Sequence, residues 1–413
     1  MIKKLRNDAD EIVRAGIQAV LPDEAVKRAL ADFEAPRGRL VMVAAGKAAW
    51  QMASAAAEAL GGFDDGIVIT KYGHVMGDIP GVSCFEAGHP VPDENGFEAT
   101  RKALGLVRGL GADDKVLFLL SGGGSALFEL PLVPGEELQD ITAQLLQSGA
   151  DIVEINTIRK RLSAVKGGRF ALECAPAEVF TIALSDVIGG RNDMIASGPA
   201  CPDISTCEEA EAIVKKYGIS LSEKAESLLA EDTTKELDNA SMYVTGSVSE
   251  LCRAVAEKCE QLGYRPVILT DRLECEASEA GEFMASVAAE NSASGQKAAF
   301  IAGGETVVHL KGHGLGGRNQ ELALAAAQGI RGLDAAVFSF GSDGTDGPTD
   351  AAGGYVDGDS YDEMIEAGTD PQASLLDNDS YHALGPVGGL IITGPTGTNV
   401  NDVAVAIVNS SVL

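Results

Sequence analysis

The residues able to do chemistry sit in short turns rich in Gly, Ser and Asp, each following an apolar run. Ser121-Gly122-Gly123-Gly124-Ser125 comes directly after the run Lys115–Leu120. Its three glycines remove the Cβ atoms that block close approach, so backbone N–H groups can converge on an anion between two hydroxyls. Phosphate binding suits this composition; a tight turn needing positive φ is the plainer use. In Ala45-Gly46-Lys47-Ala48, Lys47 adds a point charge where a helix begins, which is unfavourable for stability and useful for holding an anion. Arg318, between Gly316-Gly317 and Asn319-Gln320-Glu321, offers a planar fork for phosphate or carboxylate oxygens. Asp186 precedes two glycines and suits a metal ligand or general base, or a turn cap. Asp343, Asp346 and Asp350 recur in one Gly/Thr-rich loop that lacks the glycine and terminal Glu positions of an EF-hand. Oxygen ligands of this kind suit Mg²⁺, which takes one or two carboxylates beside substrate phosphates; turn-forming Asx motifs need the same residues.

Two nucleotide signatures are absent. Gly46-Lys47 has neither the upstream glycine nor the following Ser/Thr of a Walker loop, and Gly314-Leu315-Gly316 continues to Asn319 where a dinucleotide fingerprint has its third glycine. None of the five histidines has metal-ligand spacing, and a structural role fits each.

Alternating strand-like and helix-like runs must hold these turns, which argues for α/β architecture with a parallel sheet. Expected strands are 39–45, 66–70, 82–87, 115–120 and 179–184, then 241–245, 266–270, 298–302, 306–310, 336–340, 390–393 and 403–408. Helices are expected over 47–60, 93–110 and 157–173. The simplest division is two α/β domains, 1–238 and 239–413. In open sheets of this kind ligands bind beyond the carboxyl ends of the strands, where the turns above fall.

Composition narrows the partners. With 32 Lys+Arg against 61 Asp+Glu the formal charge is −29, unsuited to coating nucleic acid or anionic membrane. After Arg331 there is no Lys or Arg, and 13 acidic residues supply −13 of that total; a solvated acidic face and a metal-binding lobe are both open readings. No apolar run reaches the roughly 18 residues of a membrane helix. The seven cysteines are scattered without C-x-x-C, as expected of free thiols in a cytoplasmic protein.

Read in order, these motifs resemble the class II glycerate kinases, the glycerate 2-kinases of the MOFRL family. The resemblance rests on Gly88-His89-Pro90-Val91-Pro92-Asp93, Leu120 to Leu127, Asn156-Thr157-Ile158-Arg159-Lys160, Ser163 to Gly168, Ser185-Asp186-Val187 and Ala196-Ser197-Gly198-Pro199. It continues through Gly303-Gly304-Glu305-Thr306, Gly316 to Glu321, Ser342 to Gly353 and Gly394 to Asp402. It implies a Rossmann-like doubly wound N-terminal domain, a C-terminal MOFRL-type α/β domain and an active site in the cleft. It further implies ATP- and Mg²⁺-dependent phosphorylation of D-glycerate to 2-phospho-D-glycerate, and a homodimer. The family's essential Lys, Asp and Arg fall on Lys47, Asp186 and Arg318. On this reading the Ser121–Ser125 loop binds the ATP phosphates, Arg159, Lys166 and Asn319 bind substrate, and Asp343 and Asp346 face the metal. A solvated basic helix face is the competing use of Arg159 and Lys166. The rival activities are a hydroxypyruvate reductase, which the missing dinucleotide fingerprint disfavours, and a non-catalytic sugar-acid or nucleotide sensor, which has no need of Lys47, Asp186 and Arg318 together.

Overall fold

The computed structural model describes residues 2–184, 191–293 and 295–409. The chain forms two compact units, Pro22–Thr245 and the discontinuous pair Met1–Leu21 with Gly246–Leu413. The first is built on six parallel strands: β1 (Leu40–Ala45), β2 (Asp65–Lys71), β3 (Val82–Ala87), β4 (Lys115–Leu120), β5 (Glu178–Leu184) and β6 (Ala240–Thr245). Their order is β3-β2-β1-β4-β5-β6, so the connections reverse direction between β1 and β4. Both central strands are almost wholly buried, and Leu-Val-Met-Val-Ala-Ala and Lys-Val-Leu-Phe-Leu-Leu read as continuous apolar runs because helices cover both faces. One face packs Val43, Phe118 and Phe128. The other packs Met42, Leu117 and the alanine-rich helix Ala49–Leu60.

The basic stretch expected as one helix over 157–173 divides into helices Ile152–Arg161 and Arg169–Cys174. A capping box, in which Asp151 accepts from Glu154 N and Glu154 from Asp151 N, starts the first helix five residues early. Gly167 and Gly168, at φ +57° and +82°, separate the two.

The second unit holds β7 (Arg265–Leu273), β8 (Ala298–Gly304), β9 (Ala335–Gly341), β10 (Gly353–Asp357), β11 (Leu390–Ile391) and β12 (Asp402–Val408) in the order β11-β10-β9-β12-β8-β7. Only β7 and β8 pair in parallel; the other neighbours are antiparallel. The expected strand over 306–310 does not form. Apart from a single bridge to Glu276, Val307 has no ladder partner, and Val307 and Leu310 are exposed. β10 takes the place at the sheet, and its two leading glycines hid it in the sequence. A Cβ on Gly353 would stand 1.9 Å from the Ser339 carbonyl oxygen, so this strand approaches β9 only as glycine.

The sequence division groups residues 1–21 with the N-terminal domain, whereas the structure packs them in the second unit. Helix Ile2–Ala19 presents Leu5, Ala9, Ile12, Val13 and Ile17 at helical spacing to Phe338, Phe340, Val403 and Val405. The Tyr264 hydroxyl donates to Asp8 Oδ2 at 2.7 Å beside them. Ile12 is fully buried. Ile12→Ala should therefore destabilise the second unit by about 2–5 kcal/mol, read as a lowered denaturant midpoint for that unit's transition while the Pro22–Thr245 transition stays unchanged.

Candidate active site

In the N-terminal unit two of the sequence-selected turns meet at the point where the strand order reverses, the position at which open α/β sheets bind ligands. Ala45 at the end of β1 is paired with Leu120 at the end of β4. Beyond them the turns are cross-stitched: Ser121 N donates to Ala45 O (3.0 Å), Lys47 N to Gly122 O (2.8 Å) and Ala48 N to Ser121 Oγ (3.0 Å). Ser121 is thus committed to holding the Lys47 turn, and its hydroxyl is a structural acceptor. Gly46 takes φ +130°, and a Cβ there would lie 2.2 Å from Ser121 Oγ, so both its conformation and its surroundings exclude a side chain.

This stitching leaves the Lys47 side chain exposed, with no ion-pair partner among the described residues. Gly123, at φ +85°, caps the four-residue helix Gly124–Leu127. A Cβ on Gly123 would stand 2.9 Å from the His89 ring and 3.3 Å from Lys47 Cγ, which puts the bare backbone of the glycine loop between a lysine and a histidine. The Gly122, Gly123 and Ser125 N–H groups have no backbone acceptor among the described residues. Burial and the neighbouring Lys47 charge lower the His89 pKa, favouring a neutral ring. Sequence reading set His89 aside as structural; its signal was the Gly88-His89-Pro90 turn, although no spacing linked it to Lys47.

Arg159 and Lys166 stand behind the loop. Arg159 Nη2 donates to Ser125 O at 2.8 Å and lies 3.9 Å from Glu129. Lys166 is fully buried, donates to Phe128 O (3.1 Å) and Ala196 O (3.3 Å), and lies 3.5 Å from Glu129. Burial draws its pKa down to about 8, against the opposing pull of Glu129. The structure therefore places neither residue on a solvated basic face. Asp186 lies outside the described residues.

In the second unit Arg318, Asp402 and Glu305 come together where β8 and β9 end and the antiparallel β12 begins, Asp402 being paired with both Gly304 and Gly341. Arg318 Nε and Nη2 donate to Asp402 at 2.5 and 3.2 Å, and Nη1 to Glu305 at 2.8 Å. Arg318 opens the helix Arg318–Ala326, whose N-cap Gly317 has no side chain to offer. Asp346 supplies the cap from another turn, accepting from Asn319 N (3.1 Å), Gln320 N (2.9 Å), Asn319 Nδ2 (3.3 Å) and Gln320 Nε2 (3.0 Å).

Asp346 thus has both oxygens occupied and is buried, while Asn319 spends its amide on Asp346 and on the Ser339 hydroxyl. Neither presents a free polar atom. Asp343 accepts from Thr345 N with one oxygen, in an Asx turn. That oxygen and Asp402 Oδ1 each lie 3.3 Å from where a Gly341 Cβ would be. Among the described residues no group of three or more His, Cys, Asp or Glu is arranged to hold a metal by itself.

Burial and Asp346 push the Asp402 carboxyl up to about 6, with Arg318 opposing. Its unfolded value is about 4. The stabilising contribution is therefore full below pH 4 and is lost as pH rises through 6, where the folded state must ionise a buried acid. Asp402→Asn should remove this dependence: the stability difference between wild type and variant should shift against wild type from pH 4.5 to pH 7, measured by denaturant unfolding at each pH.

Comparison with known proteins places this geometry. Residues 8–230 match the domain of unknown function DUF4147, and residues 298–402 match the MOFRL family. A D-glycerate 2-kinase of Thermotoga maritima is 51% identical, covering 98% of this chain and 99% of that protein. A glycerate 2-kinase of Pyrococcus horikoshii is 42% identical over 91% of this chain and 88% of its own. The crystal structure of a Thermotoga maritima glycerate kinase matches with a TM-score of 0.95 at 50% identity, over 98% of this chain and all of that one. Conserved end to end in both sequence and fold with these enzymes, the chain belongs to the MOFRL family.

Proposed function

We propose that this protein is a glycerate 2-kinase, transferring the γ-phosphoryl group of ATP to the C2 hydroxyl of D-glycerate. The observation that carries the reading is the juxtaposition of exposed Lys47 with the bare backbone of Gly122 and Gly123 at the switch point of the N-terminal sheet, in a chain whose full-length relatives are named for this activity. Phosphoryl transfer needs positioning and charge neutralisation more than covalent chemistry, and converging N–H groups beside a cation supply both.

In this reading the Ser121–Ser125 backbone cradles the nucleotide phosphates and Lys47 neutralises their charge; a charge-neutralising role for Arg318 rests on the family resemblance. Asp186 orients or deprotonates the glycerate hydroxyl, an assignment that rests on the family resemblance. Arg318 is held in place by Asp402 and Glu305, so its fork is oriented before substrate arrives. Arg159 and Lys166 act through the loop they support, since their donors point at Ser125, Phe128 and Ala196 carbonyls.

Mg²⁺ fits the donors present only as an ion shared with nucleotide phosphates, with Asp343 as the protein carboxylate that would hold it; Asp346, spent on the helix cap, does not fit. Such an ion neutralises phosphate charge as ATP binds. A second copy of this chain as a partner rests on the family resemblance alone. The cysteines of the structure are free thiols, the state a reducing cytoplasm maintains, and no described helix is long and apolar enough to cross a membrane.

The dinucleotide-binding strand order would accommodate a reductase, yet the turn after β1 carries Gly46-Lys47 without the fingerprint glycines, and the glycine-rich turn follows β4 instead. Incubation with ATP, Mg²⁺ and D-glycerate should release ADP and give 2-phosphoglycerate by NMR, with no NADH oxidation on hydroxypyruvate. Lys47→Ala should lower kcat by about 10²–10³-fold and leave the melting temperature unchanged, because the side chain is exposed and has no ion-pair partner among the described residues. Wild-type kcat and KM in that variant would remove Lys47 from the mechanism.

A further inference from the structure

The glycine loop is fastened to a second segment that the proposed reaction does not use. Residues 192–198 run beside it with three successive residues in the left-handed region, Ala196 (φ +50°), Ser197 (φ +62°) and Gly198 (φ +66°). Two of them are not glycine, and Ala196 and Ser197 are both buried. Non-glycine residues adopt this conformation at a cost that surrounding contacts must offset, and such strain concentrates where a side chain has to be aimed.

The aim here is Ser125. Ser197 Oγ lies 3.3 Å from Ser125 Oγ and donates to Asn156 Oδ1 at 2.8 Å. Asn156, itself buried, faces Met194 Sδ with its amide nitrogen at 3.3 Å. A thioether only accepts, so Asn156 directs nitrogen to Met194 and oxygen to Ser197. With its own proton given to Asn156, Ser197 accepts from Ser125. The Ser125 proton therefore points inward, and the lone pairs of its oxygen face out of the loop. Two further contacts keep the segments in register. Lys166 bonds the carbonyls of Phe128 and Ala196 together, and a Cβ on Gly124 would stand 2.9 Å from Ala196 Cβ.

We infer that Asn156 and Ser197 are positioning residues that fix Ser125 as an outward-facing acceptor in the nucleotide site. The inference rests on the kinase reading. Phosphate oxygens are then met by the loop's N–H groups, while the Ser125 oxygen meets a donor or cation that accompanies the nucleotide.

The test compares Ser197→Gly, which removes the hydroxyl and relaxes the backbone, with Ser197→Ala, which removes the hydroxyl and keeps the left-handed strain. Both should raise KM for ATP by about five- to tenfold, the size of one lost hydrogen bond, with KM for glycerate unchanged and kcat within about threefold on the same scale. Their melting temperatures should differ, Ser197→Gly being the more stable, while their KM values for ATP agree. Ser125→Ala combined with Ser197→Gly should be no worse than Ser125→Ala alone, because the relay acts only through Ser125. Losses in KM that track melting temperature, or a double variant whose defects multiply, overturn the inference. Wild-type turnover of ATP and glycerate is measured first: its absence removes the kinase reading and the inference together, whereas turnover with unaltered KM for ATP in both Ser197 variants removes the inference alone.

Discussion

The N-terminal site depends on the close approach of two backbone turns at adjacent parallel strands. Gly46 and Ser121 come so near that no Cβ fits between them, and the gap is closed by three hydrogen bonds that use the Lys47, Ala48 and Ser121 N–H groups and the Ser121 hydroxyl. Because those groups are spent on the protein, the groups left for a ligand are the Lys47 ammonium, the N–H groups further along the glycine loop and the Ser125 oxygen. A sheet whose order reversed elsewhere would separate the turns, and the same residues would be ordinary surface loops. The strength of the arrangement is geometric, since the donors are fixed before any anion arrives and no reorganisation is needed when charge develops.

The second unit solves a related problem by different means. A helix whose N-cap is Gly317 has unsatisfied N–H groups and no local side-chain cap, and Asp346 reaches in from a neighbouring turn to supply one. That carboxylate and Asp402 are both buried within the same small region as Arg318. The charge of Asp346 adds to the cost of ionising buried Asp402, which the guanidinium opposes, while Asp346 itself is met by the N–H donors of Asn319 and Gln320. Arg318 is consequently oriented by groups that need it for their own stability, which ties its placement to the integrity of the β8, β9 and β12 termini.

The parallel N-terminal strands were legible because runs such as Leu40–Ala45 and Lys115–Leu120 are apolar throughout, a pattern that only a sheet covered on both faces produces. The turn at Ser121–Ser125 was legible as bare backbone following a strand, because three glycines in a row leave no Cβ to cover the N–H groups. What sequence could not supply was the partner of each polar group. Asp346 reads as a metal ligand or a turn former until its four donors are known, and Lys166 as a substrate-binding lysine or part of a solvated helix face until Glu129 and two carbonyls are seen around it. Both are long-range facts with no local signature. The strand at Gly353–Asp357 escaped because glycine is depleted in strands on average, although here it is required by the approach of β9. Helix Ile2–Ala19 carries its apolar positions at helical spacing, but nothing local says which core that face enters.

The net charge of −29 poses a difficulty for a protein whose proposed ligands are anions, and the acidic C-terminal stretch is where it is concentrated. The structure shows what much of that acidity does. Asp377 and Asp379 accept backbone N–H groups from His313 and Leu315, and the amide oxygen of Asn378 between them accepts from Lys311 and Gly312, shaping the turn that leads to Arg318. Asp370 caps the helix Pro371–Leu376, Asp357 accepts from Asp359 N and the Ser360 hydroxyl, and Asp362 pairs with Arg331. These carboxylates are fixed in turns and caps, where each one's field is met at short range by oriented N–H dipoles or a cation. Beyond a Debye length of about 8 Å at physiological ionic strength their repulsion is screened, so an approaching anion responds chiefly to its nearest groups. At the end of β1 and β4 those groups are a lysine and a row of N–H donors, and the local field there can attract phosphate within a molecule that is acidic as a whole.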